Sequence, residues 1–320
     1  MTGPDVSVVM SVYNGAETVM ESVCSVLSQE GVYLELIVIN DGSTDSTAAV
    51  LEDAARGDNR VRLFHKRNEG LTRALIEGCE ASRGAYVARI DAGDRMLPGR
   101  LKKQKQALDA CPDAAFASCW TGFCGPDWEP LYIGKGNGAG LAGVNILPNT
   151  PGGNLSDGPS SHGSVMFRRA TYESSGGYRW QFYYGQDWDL WYRLAERGRF
   201  LMVPEELFRV RLFVVGLSAD NRARQAAIGR CSLNAFWSRR TGQTEAGWLE
   251  EASLIRPGSD GALRKSGRSG EGAHFIGEML RRNGDPRCRR YFAEALRHNV
   301  FRPNTWCRLV QSLSIRVPQA

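Results

Sequence analysis

Apolar stretches of strand length alternate with helical patterns over the first 120 residues of the chain. Near-continuous apolar runs, which are typical of strands buried on both faces of a parallel sheet, occupy residues 6–12, 34–39, 61–64, 85–90 and 114–119. Between them, apolar side chains recur every three or four positions, as in a helix packed on one face. The alternation therefore predicts an α/β fold of Rossmann-like type, with a mostly parallel sheet flanked by helices.

Two helix starts are predicted from local chemistry. Ser43 or Thr44 is expected to cap the second helix, because a hydroxyl oxygen there can accept a backbone N–H. Pro98 suits the first turn of a helix that reaches Cys111.

The rest of the chain is less regular. Residues 134–163 hold nine glycines, and a loop of this length and composition predicts a mobile lid over a site. From about residue 221 the pattern is helical and rich in arginine. We therefore expect a helical extension at the C-terminal side of the sheet-forming region.

The composition and the first ten residues restrict the class of protein to which the chain can belong. Hydrophobic residues make up 42% of the chain, and no apolar run approaches the roughly 20 residues that a membrane span needs. The start, MTGPDVSVVM, has no basic region before its apolar run, so we interpret it as a first strand and expect a cytoplasmic protein. Eight cysteines without a C-x-x-C, with only four histidines, disfavour a zinc site.

The net charge of +5 is divided unevenly along the chain. Residues 1–220 carry 22 Lys+Arg against 27 Asp+Glu, whereas residues 221–320 carry 18 against 8. A basic segment suits an anionic membrane surface, although it is also compatible with a solvated helical surface. The apolar residues Trp306, Leu309, Val310 and Leu313, at helical spacing, would either rest on lipid headgroups or pack on the rest of the protein. No nucleic-acid partner is expected, because the arginines are scattered outside any known module.

Polar residues follow each of the first four predicted strands. They are Tyr13 and Asn14, Asp41, Asn68, and Asp91 with Asp94. The carboxyl ends of parallel strands form the ligand site in open α/β sheets, so these residues predict one pocket with an aromatic face and several carboxylates. The first strand is followed by YNGAET and no P-loop occurs, so the usual phosphate cradles are missing. A diphosphate bound here would need a divalent cation such as Mn²⁺ or Mg²⁺.

Six motifs in order make the chain resemble a family 2 glycosyltransferase with the glycosyltransferase A fold. They are SVVMSVYNG, INDGSTDST, NEGLTRAL, IDAGD, HGSVMFRRATYESSGGYR and GQDWDLWYRL. The resemblance covers residues 6 to about 218. It implies a catalytic, nucleotide-sugar-binding domain at 1–220 and a basic, mainly helical extension at 221–320.

The resemblance also implies an activity. It is an inverting transfer from a nucleotide diphosphate sugar, most readily a UDP-sugar, to a hydroxyl of a glycan or lipid-linked acceptor in cell-surface polysaccharide biosynthesis. The protein would work in the cytoplasm, with peripheral contact at the inner face of the membrane.

The motifs assign roles to single residues by similarity to the family. Tyr13 would stack on the base, Asp41 would accept its ring N–H, and Asp94 would bind the metal ion. Asp187 would be the general base that removes the proton of the acceptor hydroxyl. The remaining donor-binding residues implied by the motifs are Val12, Asn14, Asn68 and Asp91.

Each assignment has a plainer alternative. Tyr13 could be a packing residue, and Asp187 and Asp189 could be acidic residues that favour a helix N-terminus. The turn carries Gly93 where many relatives have an aspartate, and Phe213 stands where relatives often have a histidine. Both departures would weaken metal binding.

Two other functions stay open. One is a nucleotide-sugar-binding protein with impaired catalysis, which the two departures would favour. The other is a sugar nucleotidyltransferase, which would need a basic, glycine-rich loop after the first strand that YNGAET does not supply.

Overall fold

The computed structural model describes residues 3–136, 140–141, 143–148, 158–214, 222–257 and 269–315. The strands are β1 (Val6–Val12), β2 (Leu34–Asp41), β3 (Val61–Lys66), β4 (Tyr86–Asp91), β5 (Arg95–Met96), β6 (Ala114–Cys124), β7 (Pro130–Gly134), β8 (Met166–Arg168) and β9 (Arg199–Arg211). The helices are α1 (Val19–Leu27), α2 (Thr47–Gly57), α3 (Leu71–Glu80), α4 (Arg100–Ala110), α5 (Arg169–Ser174), α6 (Gln186–Ala195), α7 (Arg222–Arg240), α8 (Ala246–Leu254), α9 (Ser269–Arg282), α10 (Cys288–His298) and α11 (Pro303–Ser312), with a 3₁₀ turn at His162–Ser164.

The sheet is parallel on one side and mixed on the other. Its order is β3-β2-β1-β4-β8-β6-β9-β5, with β7 paired to β6. The first four strands in this order run parallel, and β8 then lies antiparallel between β4 and β6. The predicted α/β fold with flanking helices is confirmed, but β5, β7, β8 and β9 were not predicted.

Helices cover both faces of the parallel part. Val8 of β1 packs in one core cluster with Val19 and Val23 of α1, whereas the next residue, Val9, packs in another with Leu75 of α3. Successive side chains of a strand point to opposite faces, so a strand covered on both sides is mostly apolar along its whole length. This explains the continuous apolar runs.

Both predicted helix starts are wrong in detail. Helix α2 begins at Thr47, and Ser43 and Thr44 instead bond to Asn14 in the loop after β1. Helix α4 begins at Arg100, after Gly99 with φ +81°, so Pro98 precedes the helix.

Much of the predicted lid is not part of the described structure. Residues 137–139, 142 and 149–157 of the segment 134–163 lie outside the described residues.

The chain divides into two compact units. Unit 1 contains residues 1–121, 134–210 and 224–256, and unit 2 contains residues 122–133, 211–223 and 257–320. This division differs from the predicted domains 1–220 and 221–320, because α7 and α8 belong to unit 1.

Unit 2 holds the C-terminal helices α9 to α11. Its core includes Leu131, Ile276, Leu280 and Phe292. No helix among the described residues is both long and apolar enough to cross a membrane.

Candidate active site

The loops after β1 and β2 are tied together at the carboxyl edge of the sheet. Asn14, at φ +52°, donates its backbone N–H to Ser43 Oγ at 3.0 Å. Its side-chain oxygen accepts the Thr44 N–H at 2.7 Å. The adjacent Tyr13 is 52% exposed, whereas Val12 is buried in the core. The ring of Tyr13 is therefore open to a ligand, while Asn14 holds the loop that carries it.

Asp41, at the end of β2, braces the loop after β3. Its carboxylate is buried and accepts the N–H of Glu69 at 3.0 Å and that of Gly70 at 2.9 Å. Gly70 has φ +91°, and a Cβ there would meet the ring of Tyr183 at 2.6 Å. The brace places exposed Asn68 beside the same edge, so predicted donor-binding residues from two strands come together.

Arg89, a residue that the sequence did not single out, lies under the edge. It is fully buried in β4 and donates to the carbonyl of Val9 at 3.1 Å and to Asp91 Oδ1 at 2.6 Å. Burial raises the pKa of Asp91, but the charge of Arg89 and its hydrogen bond to the carboxylate outweigh this effect and hold the pKa below its ordinary value. Asp91 is thus fixed as a carboxylate.

His162 and Tyr178 form the wall beside Asp91. The Nε2 of His162 lies 2.7 Å from the hydroxyl oxygen of Tyr178. Burial, with the charge of Arg89, lowers the pKa of His162 to about 3 despite the opposing effect of Asp91. A Cβ on Gly163 would meet the Phe208 ring at 2.6 Å. His162 is therefore a neutral hydrogen-bonded residue.

The turn with Asp94 is held by one serine of α1. Ser22 Oγ accepts the N–H of Gly93 at 2.9 Å and donates to the carbonyl of Asp94 at 2.7 Å. Gly93 has φ +99°, a conformation that L side chains rarely adopt. In the described part of the chain, no three His, Cys, Asp or Glu residues lie close enough to hold a metal ion. A cation at Asp94 would take its other ligands from phosphates and water, as Mg²⁺ commonly does.

The first turn of α6 contains two aspartates in different states. Asp189 is 1% exposed and pairs with Arg193 at 2.5 Å. The pKa of Asp187 is raised to about 6, mainly by burial and further by the charge of Asp91. Hydrogen bonds from backbone N–H groups and the charge of Arg89 oppose this rise. The plainer alternative therefore describes Asp189, whereas Asp187 has the state that a general base needs.

A pocket of about 920 Å³ opens beside Asp187. Its walls are the segment from Tyr183 to Trp188, Leu71 at the start of α3, and one face of α7. Trp191, another tryptophan of α6, is buried in the core. The pocket could not be predicted from the sequence pattern, because α7 reaches it only through tertiary packing.

Two arginines of β9, Arg209 and Arg211, make contacts within the protein. Arg209 pairs with Glu206 at 2.7 Å, and Arg211 donates to the carbonyl of Pro126 at 2.6 Å. Phe213 packs its ring against the guanidinium of Arg211.

The sequence matches known glycosyltransferases. Residues 7–173 match the family model described as Glycosyl transferase family 2. EpsE of Bacillus subtilis (strain 168), whose name assigns it to the glycosyltransferases, is 35% identical over 217 residues, which cover 66% of this chain and 74% of EpsE. The succinoglycan biosynthesis protein ExoO of Rhizobium meliloti (strain 1021) is 41% identical over 108 residues, which cover 33% of this chain and 30% of ExoO.

The fold also matches solved structures. Residues 1–349 of S. aureus TarS in complex with UDP superpose with a TM-score of 0.55 at 13% identity, over 96% of this chain and 88% of that one. The complex of the same protein with UDP-GlcNAc gives a TM-score of 0.55 at 12% identity, with the same coverage. At these identities the likeness shows a shared fold.

Proposed function

Because the chain belongs to glycosyl transferase family 2, we propose that it moves a sugar, with inversion, from a UDP-sugar to a hydroxyl of a glycan or lipid-linked acceptor. The proposal rests on the position and the raised pKa of Asp187. Asp187 lines a pocket of about 920 Å³ and is close enough to Asp91 for the two charges to interact, and its pKa is raised to about 6, mainly by burial. It is thus mostly ionised near neutral pH and able to accept a proton.

The donor would lie along the carboxyl edge. The exposed ring of Tyr13 offers a face for the base, and Asp41 offers lone pairs that its two backbone hydrogen bonds leave available for a ring N–H. Asp91 and Asn68 would face the ribose. UDP is the nucleotide we favour, since the TarS structures of similar fold hold UDP and UDP-GlcNAc.

The transfer is a single displacement. The acceptor oxygen attacks the anomeric carbon, and its proton passes to an Asp187 oxygen as the new bond forms. The bond from the anomeric carbon to the phosphate oxygen breaks at the same time, and its electron pair leaves on the nucleoside diphosphate. Attack from the face opposite the leaving group inverts the anomeric configuration.

We assign Asp94 as the protein ligand of a divalent metal ion, Mn²⁺ or Mg²⁺. The residues present fit a cation that takes most of its ligands from the donor, because Asp94 offers one carboxylate beside Asp91 in the same tight turn. When bound, the cation would neutralise the charge that develops on the departing diphosphate.

Cell-surface polysaccharide synthesis is the process that we favour. The similarity to ExoO, named for succinoglycan biosynthesis, supports it. Such acceptors are commonly held at a membrane, so we place the protein on the cytoplasmic side, with peripheral contact at the inner face.

Helix α11 of unit 2 supports the membrane contact. Trp306 and Val310 are exposed on α11 and Leu313 is exposed directly after it, whereas Leu309 of the predicted stripe packs on the core of unit 2. Residues 221–320 carry 18 Lys+Arg against 8 Asp+Glu. An apolar helix face beside basic residues suits an anionic lipid surface.

Vesicle sedimentation tests this contact. The protein should pellet with phosphatidylglycerol vesicles and not with phosphatidylcholine vesicles, and Val310→Ser with Leu313→Ser should reduce pelleting. Leu254→Ser, which alters an exposed leucine of α8, is the matched control. Equal pelleting of all three proteins would exclude α11 as the contact.

A nucleotide-sugar panel tests the enzymatic proposal. Thermal unfolding is followed with UDP-, GDP- and dTDP-sugars, with and without Mn²⁺, because a ligand of the native state raises the unfolding temperature. Release of nucleoside diphosphate is then measured with acceptor mixtures. Binding with no turnover would favour an impaired nucleotide-sugar-binding protein, and no binding at all would refute the donor site.

A further inference from the structure

We infer that the pocket beside Asp187 is the acceptor site, that it binds a carbohydrate, and that Gly229 of α7 sets its size. The inference rests on the proposed transfer reaction. It goes further by assigning the acceptor to residues that lie almost entirely outside the family match of 7–173.

The position of the pocket suits an acceptor. Asp187 lines it, so a hydroxyl held there has a proton acceptor within the same cavity. Leu71 and Tyr183, which also line it, adjoin the loop that Asp41 braces. The pocket therefore begins where the proposed donor edge ends, and a bound molecule would meet the donor at Asp187.

The lining suits a sugar. Aromatic rings of Tyr183, Tyr184 and Trp188 supply flat apolar surface, on which the C–H faces of a sugar ring can pack. The amides of Gln186 and Gln225 supply donors and acceptors for hydroxyls. A mostly apolar pocket with a few placed polar groups is the usual form of a small-ligand site.

Gly229 keeps the α7 wall of the pocket open. Gln225, Gly229 and Leu233 lie four residues apart, so they share one face of the helix. A Cβ added to Gly229 would meet no atom within 4 Å. Glycine here thus leaves free volume that no packing or backbone requirement of the helix explains.

A larger side chain at Gly229, which fills this free volume of the pocket, tests the inference. Gly229→Phe should leave the fold intact, because its Cβ has space and phenylalanine favours a helix more than glycine does. Gly247→Phe is the matched control. Gly247 also lies in a helix of unit 1, has no atom within 4 Å of an added Cβ, and is not part of the pocket wall.

Two binding measurements are made on the full chain. Binding of phenyl β-glycosides of glucose, galactose, N-acetylglucosamine and mannose is followed by saturation-transfer NMR with UDP present, and UDP binding by calorimetry. We expect Gly229→Phe to weaken glycoside binding by at least about tenfold and to leave UDP binding unchanged, while Gly247→Phe changes neither.

Each result that differs from this expectation has its own meaning for the inference. Glycosides that bind Gly229→Phe as well as they bind the native chain, or that do not bind the native chain, would overturn the inference. Weaker UDP binding by Gly229→Phe would assign the pocket to the donor and overturn it as well. If glycosides bind as expected but no UDP-sugar is turned over, the acceptor pocket stands and the proposed transfer fails.

Discussion

The buried guanidinium of Arg89 lies 2.6 Å from Oδ1 of Asp91, two residues further along β4. Residues two apart in a strand face the same side of the sheet, so a cation inside the core fixes a carboxylate at the rim. The same guanidinium donates to the carbonyls of Val9 and Ile90. Arg89 therefore joins the interior of the parallel sheet to the proposed donor site.

Replacing Arg89 should destabilise the fold. Arg89→Met removes charge-assisted hydrogen bonds to two carbonyls and leaves the Asp91 carboxylate without its buried partner, so we expect the free energy of unfolding to fall by about 2 to 3 kcal/mol. Urea denaturation measures this. Arg56→Met, which breaks an exposed pair with Asp53, should cost less than about 0.5 kcal/mol. Equal effects of the two changes would contradict the role of Arg89.

The two aspartates of α6 should separate catalysis from stability. Asp187→Asn removes the proton acceptor, so we expect transfer to fall by about 10² to 10⁴-fold with UDP binding unchanged. Asp189→Asn breaks the buried pair with Arg193, so we expect a loss of about 3 kcal/mol in unfolding free energy. Steady-state kinetics and urea denaturation of both variants check this. Native transfer rates in Asp187→Asn would exclude it as the base.

The pH dependence of kcat/KM should follow the ionisation of Asp187. Burial and Asp91 raise the pKa of Asp187 to about 6, and only its ionised form accepts a proton. We therefore expect kcat/KM to fall about tenfold per pH unit below about pH 6, and to level off above it. His162, with a pKa of about 3, and Asp91, with a lowered pKa, do not titrate in this range. A profile that stays flat from pH 5 to 8 would contradict the assignment.

The brace at Asp41 should control the order of the loop after β3. Asn in its place has one acceptor oxygen and would direct its NH₂ group at a backbone N–H, so one of the bonds to Glu69 and Gly70 is lost. We expect Asp41→Asn to speed amide hydrogen exchange in residues 69–70 and to weaken UDP binding. Asp53→Asn, which alters an exposed aspartate of α2 paired with Arg56, is the control. Unchanged exchange in Asp41→Asn would show that the brace does not order the loop.

The metal assignment can be checked without turnover. We expect Mn²⁺ to increase the rise in unfolding temperature that UDP causes in the native chain, and Asp94→Asn to abolish that increase. Asp58→Asn, whose carboxylate pairs with Arg60 away from the edge, should behave like the native chain. A full Mn²⁺ effect in Asp94→Asn would place the cation elsewhere.

The parallel half of the sheet was predictable because of how it is buried. Strands β1, β2 and β4 are covered on both faces, so their side chains must be apolar and the runs are evident in the sequence. Strand β8 has three residues, too few for any periodic signal. The apolar pattern of strand β9 is interrupted by the sequence Pro204-Glu205-Glu206, which is typical of a turn.

The site was predictable only where motifs name its residues. Asp187 and Asp189 are equivalent in sequence terms, since both lie in the first turn of a helix, and only tertiary packing pairs Asp189 with Arg193. The sequence does contain a signal for the role of Arg89. A charged residue inside the run of residues 85–90 must find a partner when the strand is buried, and the aspartate two positions later is the nearest candidate.

The hydrogen bonds that the Asp41 carboxylate accepts from residues 69 and 70 span 28 and 29 positions, and the one that Arg89 donates to the carbonyl of residue 9 spans 80. Contacts between distant parts of a chain form slowly, because loop closure must precede them. The proposed nucleotide site can thus be complete only after the parallel strands have assembled. Under the proposed function, UDP would bind fully folded molecules and not compact intermediates, so its binding could be used to follow the last step of refolding.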